Sequence, residues 1–567
     1  MTTTMHENFM FGESYFPNNP LLKLRLTLTS CYIKEPSYYQ KSEKRGKTNE
    51  LTEEIIQHIS KYITIPEHLT KSRLKIFYES VNEALDADFK GTIDLARHAR
   101  VNEYFRTGPA LVIALAAQHA KRVDFNNEYP MYFRNLVEEM FLIPGDMITL
   151  LDAWKSLHDG SKTKFPSFLK RTMCQRLDKI TPYQAEKYRK NVIDSARISH
   201  PRPNVVLGEL MEYGKVIVDS KDKKWETLKA EGNNWLQTIE LMEWNMPHKA
   251  CVHNLRGFAN EVRNEEHIER YCEMMKRGVK YGKLYPFHYI TAYKALKGSS
   301  KSMKAKTKNP NANPYYIKPL RKRDLAIMIK ALEDCIQLSI DNFPKLEGDV
   351  VVLSDNSGSA HGAFTSEYGS TTVADIGNLS AIITANACSG RGMIGLFGDR
   401  LLEYEVDKSK TILQQYDEIN QLAGMRGANV GGATENGLWL FYKRSMENPE
   451  KYRFDHFFCY SDMQAGHGGL YGNDIEIGKL GFGISRSRYS NINYIDLLRL
   501  LEDYRKRINP KMSCFTVQTA GYNDSIMPEN LYRGAILAGW TGREVLYADK
   551  VLKLWDEVDA LQISCMP

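Results

Sequence analysis

With 567 residues the chain exceeds what one compact core holds, since single cores stop growing at roughly 250–300 residues, and two to four domains are expected. Hydrophobic residues at 43% and charged residues at 26% exclude a disordered chain, and a net charge of +7 is too small at this length to mark a nucleic-acid binder unless the cations cluster. No uncharged apolar run reaches the ~18–20 residues of a membrane span. The opening "MTTTMHENFMFGESYF" lacks the basic and then apolar pattern of a leader, so a soluble, cytoplasmic protein is expected. The 9 Cys, among them Cys31, Cys174, Cys251, Cys388 and Cys514, form no C-x-x-C pair and read as reduced thiols.

In chain order, residues 51–296 are a succession of amphipathic helical patterns, including "LTEEIIQHISKYI", "KSRLKIFYESVNEAL", "PALVIALAAQHAKRV", "FRNLVEEMFLI" and "DMITLLDAWKSL". They share no heptad seam and no clean repeat period, which predicts helix pairs stacked side by side as in a HEAT-like solenoid. Residues 298–319, "GSSKSMKAKTKNPNANPYYIKP", read as a linker or long basic loop. After the helical "RDLAIMIKALEDCIQLSIDNF", short apolar strands alternate with helices. The strands are "DVVVLSD", "GMIGLFGD", "FDHFFCYSD" and "KMSCFTVQTA", and the helices are "TTVADIGNLSAIITANAC", "NGLWLFYKRSM" and "YIDLLRLLEDYRKR". This alternation predicts a mostly parallel sheet covered on both faces, with ligands at the carboxyl ends of its strands. The expected division is a helical module over 1–345 and an α/β domain over 346–567.

Within "VVLSDNSGSAHG", Asp355, Ser357 and Ser359 follow directly on an apolar strand. Asp462, after "HFFCYS", occupies the equivalent place on another strand, and Thr434 lies in "NVGGATENG", where glycines precede a helix. Two carboxylates and three hydroxyls from three loops make an all-oxygen set suited to a hard divalent cation such as Mg²⁺. Taken alone, Asp-Asn-Ser-Gly-Ser is also ordinary turn and cap composition. From about Gly348 to the C-terminus the chain resembles a von Willebrand A domain with its metal-ion-dependent adhesion site. Asp355, Ser357, Ser359, Thr434 and Asp462 fall in order on that family's ligand positions. The resemblance implies a binding device with a coordination position open for a partner's carboxylate, and no nucleophile and general base for hydrolysis stand beside it.

Five ordered segments of the first half carry a second resemblance: "TSCYIKEPSYY" at Thr29–Tyr39, "RTGPALVIALAAQ" at Arg106–Gln118, "KYRKNVIDSARISHPRP" at Lys187–Pro203, "MPHKACVHNLRGF" at Met246–Phe258 and "LYPFHYITAYKAL" at Leu284–Leu296. Together they resemble the TROVE module of the Ro autoantigen family, whose third metal loop usually reads Gly-Gly-Thr-Asp. Here Ala433 intervenes and Glu435 replaces the Asp. The resemblance implies a ring-like solenoid of HEAT-like repeats followed by a doubly wound von Willebrand A domain. It further implies a basic central hole for single-stranded 3′ ends of misfolded RNA, an outer surface for Y-like stem-loop RNA, and, in bacteria, an exoribonuclease tethered through the small RNA. By the same resemblance Lys187 and His200 match outer RNA positions, with Arg189 and Lys190 as approximate counterparts of the next basic residue.

The residues suit such a role. Lys187, Arg189, Lys190, Arg197 and His200 lie within one short helical segment, and "FLKRTMCQRLDK" adds Lys170, Arg171 and Arg176. Cations three and four apart share a helix face and can track a phosphate backbone. Lys249, His253 and Arg256 recur on one face of "HKACVHNLRG", which the resemblance sets near the inner wall. Tyr285, Phe287 and His288 are candidates for base stacking. Each has a plainer alternative: a solvated helix face for Lys170 and Arg171, a helix C-cap for His200, and core packing for Phe287.

A monomeric, non-catalytic RNA-binding protein of RNA quality control is the expected function. The competing expectation is a protein-interaction scaffold whose metal site captures an acidic residue of a partner. An NTPase is disfavoured because no G-x-x-x-x-G-K-[ST] loop is present.

Overall fold

The computed structural model describes residues 4–7, 13–16, 18–29, 73–158, 165–217, 223–282, 284, 286–298, 303–304, 316–317, 319–341, 343–357, 360, 372–398, 400–426, 434–461, 463, 479–484, 494–519, 525–528, 531–538 and 544–564. An antiparallel pair, β1 (Thr4–Glu7) and β2 (Glu13–Phe16), precedes α1 (Pro20–Thr29). Next come α2 (Arg73–Ala87), α3 (Phe89–Val101), α4 (Thr107–Gln118), α5 (Arg122–Glu128), α6 (Tyr132–Met140), α7 (Pro144–Ser156), α8 (Ser167–Asp178), α9 (Pro182–Lys187), α10 (Arg189–Ser199) and α11 (Val205–Tyr213). The array continues with α12 (Trp225–Ala230), α13 (Trp235–Leu241), α14 (His248–Glu261), α15 (Glu265–Arg277), α16 (Val279–Gly282) and α17 (Pro286–Lys297). Caps delimit many of these helices: Asp88 accepts from Gly91, Asn204 from Leu207 and Asn264 from His267, and each satisfies a first-turn N–H that no helical carbonyl reaches.

Two of the sequence expectations for this half are refined. The run Pro109–Val123 is two helices, because His119 turns extended (φ −68, ψ 144) after Gln118 and α5 starts at Arg122. The expected basic loop at 298–319 contains a short antiparallel pair, β3 (Met303–Lys304) with β4 (Tyr316–Ile317). The pattern at Leu51–Ile63 lies outside the described residues.

After α18 (Lys322–Ile340) come β5 (Val350–Asp355), α19 (Val373–Asn386), β6 (Gly392–Phe397), β7 (Leu401–Glu405), α20 (Ile412–Arg426), α21 (Thr434–Glu447), β8 (His456–Ser461), β9 (Gly483–Ile484), β10 (Tyr494–Ile495), α22 (Leu497–Arg507), β11 (Ser513–Gln518), β12 (Gly534–Ala538) and α23 (Glu544–Ser564). Six strands form one sheet in the order β12-β11-β8-β5-β6-β7, parallel throughout except for β7 at the edge. From β5 the chain steps first to β6 on one side and later to β8 on the other. The carboxyl ends of β5 and β8 therefore flank a topological switch point, where such sheets open a crevice.

Buried side chains fall into three clusters. One runs from Leu24 to Val216 through the first eleven helices. A second joins Trp235–Ile336 of the later helices to one face of the sheet (Val350, Val352, Ile394, Phe458, Phe515) and to α19, α20 and α23. A third lies between the opposite face (Val351, Leu353, Phe397, Phe457, Cys514) and α21 and α22. Alternate residues of each strand thus enter different cores, as a doubly wound sheet requires.

The helical array closes on the sheet at both of its ends, giving a ring-like molecule. At the far end α17 and α18 meet α19 and α20. There Lys294 pairs with Asp375 at 2.7 Å and Lys297 with Asp417 at 2.6 Å, while the Tyr293 hydroxyl donates to Asp417. At the near end α1 meets β12. Arg25 of α1 donates to Glu103 at 2.5 Å and to the Tyr547 hydroxyl of α23 at 2.8 Å, and Tyr547 donates to the same Glu103 oxygen. Burial pushes the Glu103 carboxyl up, but the His98 hydrogen bond, the Arg25 charge and Tyr547 outweigh it and hold it at about 2. The described cysteines are free thiols, and among the described residues no helix is long and apolar enough to cross a membrane.

Candidate metal centre and nucleic-acid interface

Asp355 ends β5 at the switch point, buried to 6% exposure. Its Oδ1 accepts the Ser357 N–H at 2.8 Å, and its Oδ2 accepts the Ser461 hydroxyl from the end of β8 at 2.8 Å. Beneath it, Ser354, Asn356 and Asn378 exchange buried hydrogen bonds that tie the β5 loop to α19. A side chain at Gly437 would collide with Phe397, so α21 lies close against β6 and its first residue, Thr434, sits beside the same end of the sheet. Ser359 and Asp462 lie outside the described residues, and of Thr434 only the backbone is described. Among the described residues no three His, Cys, Asp or Glu side chains converge. A fixed, buried carboxylate beside a serine hydroxyl is nevertheless the donor chemistry of a hard cation.

The outer candidates are all on α8, α9 and α10 or at their ends. Arg171, Lys187, Arg189, Lys190, Arg197 and His200 are exposed and Lys170 is half-buried. His200 is the C-cap of α10 in the left-handed region (φ 54), so its cap role and its exposed ring coexist. Lys187 is not a free cation: it donates to Glu226 of α12 at 2.6 Å and to the Tyr183 hydroxyl at 2.9 Å. Burial opposes its charge, but these two hydrogen bonds outweigh that and raise its pKa. Arg189 pairs with Glu186, and Arg197 lies 4.0 Å from Asp194. Arg176, by contrast, is spent on structure, donating to the Phe141 carbonyl and to Gln184.

The inner candidates sit on α14, whose buried face carries His248, Cys251, Val252, Leu255 and Phe258. Lys249 and His253 stand one turn apart on the other face and are exposed, with Arg256 half-buried beside them. Desolvation nevertheless lowers the pKa of both Lys249 and His253. Arg106, at the start of α4, adds repulsion on Lys249, and Lys249 adds it on His253. Among the described residues no carboxylate offsets Lys249 or His253, unlike Lys187, Lys276, Lys294 and Lys297, which all have acidic partners.

His288 is 5% exposed, which corrects its expected role as a stacking platform; it packs behind His253 with ring centroids 5.7 Å apart. Tyr285 and the Phe287 side chain lie outside the described residues. Glu226, Ser461 and Arg106 were not singled out from sequence. The first two touch their partners across 39 and 106 residues, a separation that carries no local signal.

A helical array closed by a doubly wound domain, with an oriented Asp at the switch point, defines a Ro-like architecture: HEAT-like repeats plus a von Willebrand A-like fold. The Ro (RSR) protein of Deinococcus radiodurans, known from a crystal structure, shares this fold with a TM-score of 0.51, at 12% identity over 83% of this chain and 93% of that one. No family model matches the chain, and no curated protein matches it. At this identity the likeness establishes the fold, and function must be argued from the residues.

Proposed function

We propose that this chain is a non-catalytic, Ro-type RNA-binding protein of cytoplasmic RNA quality control. The observation that supports this most is the basic face at Lys249 and His253, where among the described residues no carboxylate neutralises the charge and a phosphate backbone is the natural counter-ion. Single-stranded 3′ ends of misfolded RNA bind there, with Arg256 extending the track. Y-like stem-loop RNA binds the outer surface at Lys170, Arg171, Lys187, Arg189, Lys190, Arg197 and His200, and an exoribonuclease is recruited through that RNA. Crosslinking and sequencing of copurified RNA tests the outer surface: a Lys187/Arg189/Lys190→Ala variant loses an abundant stem-loop RNA, and retention of that RNA refutes the assignment.

In the same reading Asp355, Ser357, Ser359, Thr434 and Asp462 hold a divalent cation, Mg²⁺ by the hardness of the oxygen set, in a monomeric protein. The hydrogen bonds that orient Asp355 support this. They also favour a second reading, in which the bound metal captures a partner's carboxylate. Partner capture that survives both Asp355→Ala and chelation excludes it.

A further inference from the structure

The inner face carries an arrangement that a plain basic track does not need. His253 stands one helical turn from Lys249, on which Arg106 adds repulsion, and has the buried His288 ring of α17 behind it. His248 is the third imidazole of the group, but both of its nitrogens are committed. Nδ1 bonds the Met275 carbonyl of α15 and Nε2 the Tyr289 hydroxyl of α17, each at 2.8 Å, and burial lowers its pKa despite the Met275 bond. A side chain at Gly278 or Gly282 would run into His248, which fixes this end of α14 rigidly. The charged and titratable groups shown on His253 and its neighbours are Lys249, His248 and Arg256 of its own helix, His288 and Tyr289 of α17, and Arg106 beside Lys249. Among the described residues none of these is an acid.

We propose that His253, backed by His288, is a proton-coupled phosphate grip, taking up a proton when the backbone of a single-stranded RNA settles against Lys249 and Arg106. This rests on the RNA-binding reading above and deepens it. In the free protein His253 is neutral near pH 7, because burial and Lys249 disfavour a further positive charge. His288 is held neutral more strongly, by burial and then by Lys249, His253 and His248. A bound phosphate inverts the local field and favours the imidazolium. Affinity therefore rises as pH falls through the neutral range, where internal phosphodiesters do not titrate.

The test is calorimetry of the full-length protein with a decauridylate bearing hydroxyls at both ends, at pH 6.0 and 7.5, in buffers of different ionisation enthalpy. The expected result is net proton uptake at the lower pH and roughly five- to tenfold tighter binding there. His253→Gln abolishes the uptake and flattens the pH dependence. His158→Gln, at a histidine that belongs to neither RNA face and bonds the Trp154 carbonyl, leaves both intact. Binding that Lys249→Gln weakens but that is pH-independent and free of proton uptake overturns the grip and leaves the RNA-binding reading standing. Absence of binding at either pH, or binding indifferent to Lys249→Gln, overturns both.

Discussion

Lys187 shows how a single side chain divides its duties. Its ammonium is exposed enough to meet a phosphate, yet it is already engaged by Glu226 from α12. Glu226→Gln removes that competitor and is expected to tighten stem-loop RNA by roughly two- to fivefold, the scale of an exposed ion pair, with a steeper dependence on salt. Fluorescence anisotropy at two salt concentrations reads both, and unchanged affinity would make Lys187 a strap between helices and nothing more. Deeper in the first arc, Arg100 and Asp146 form a pair at 2.8 Å with both side chains under 10% exposed. Asp146→Ala strands the guanidinium and is expected to cost about 3–5 kcal/mol in urea unfolding, whereas a matched apolar pair at both positions costs much less. Neither partnership is legible in the sequence, because nothing local to Lys187 or Arg100 names its partner.

Among the elements, α1 matters beyond its ten residues. Leu24 and Leu28 enter the first core, Leu22 packs against the third, and Arg25 reaches both the Glu103 loop and α23. Because the Glu103 carboxyl is held below its unfolded value, the stability it supplies is present above about pH 4.5 and is lost as pH falls toward 2. Glu103→Gln should cost up to about 3 kcal/mol at pH 7 and lose the part of the acid dependence that lies between pH 4.5 and 2. Thermal melts across that range decide it: a variant with the same acid profile as the parent shows that the joint is not electrostatic. Strands β5, β6, β8 and β11 are legible in the sequence because both faces are covered and every residue is buried, which leaves continuous apolar runs. Helix α20 is not, since "ILQQYDEINQLAGMR" has a thin apolar stripe and leans on α19 for its burial. Edge strand β7 and helix α1 escape for the same reason: tertiary contacts settle them, not local pattern.

For the whole molecule, the loop from β5 carries the metal prediction. Mg²⁺ in large excess over its Kd is expected to raise the melting temperature of the parent protein through binding to the native state, with no effect on Asp355→Ala. An equal rise in both proteins places the cation elsewhere. The class of each half is legible in the sequence, and so is the place of Asp355, because strand periodicity and a turn at a strand end are local properties. That both ends of the array dock on one sheet follows only from the family resemblance and not from local pattern, since Arg25 and Tyr547 are 522 residues apart.

The division of the interior into separate cores bears on how the chain is made. Helices α1 to α11 bury most of their apolar faces against one another, so apart from the contacts of α1 with β12 and α23 this arc has its partners by the time residue 217 is synthesised. Helices α13 to α18 share a core with strands and helices that follow from Val350 onward, the last of them at Leu552. During translation the second arc therefore waits with its apolar face uncovered until nearly the whole protein exists. A fragment ending at 217 should be soluble and cooperative, while one spanning 223–341 should aggregate, and this middle third is where a chaperone is needed.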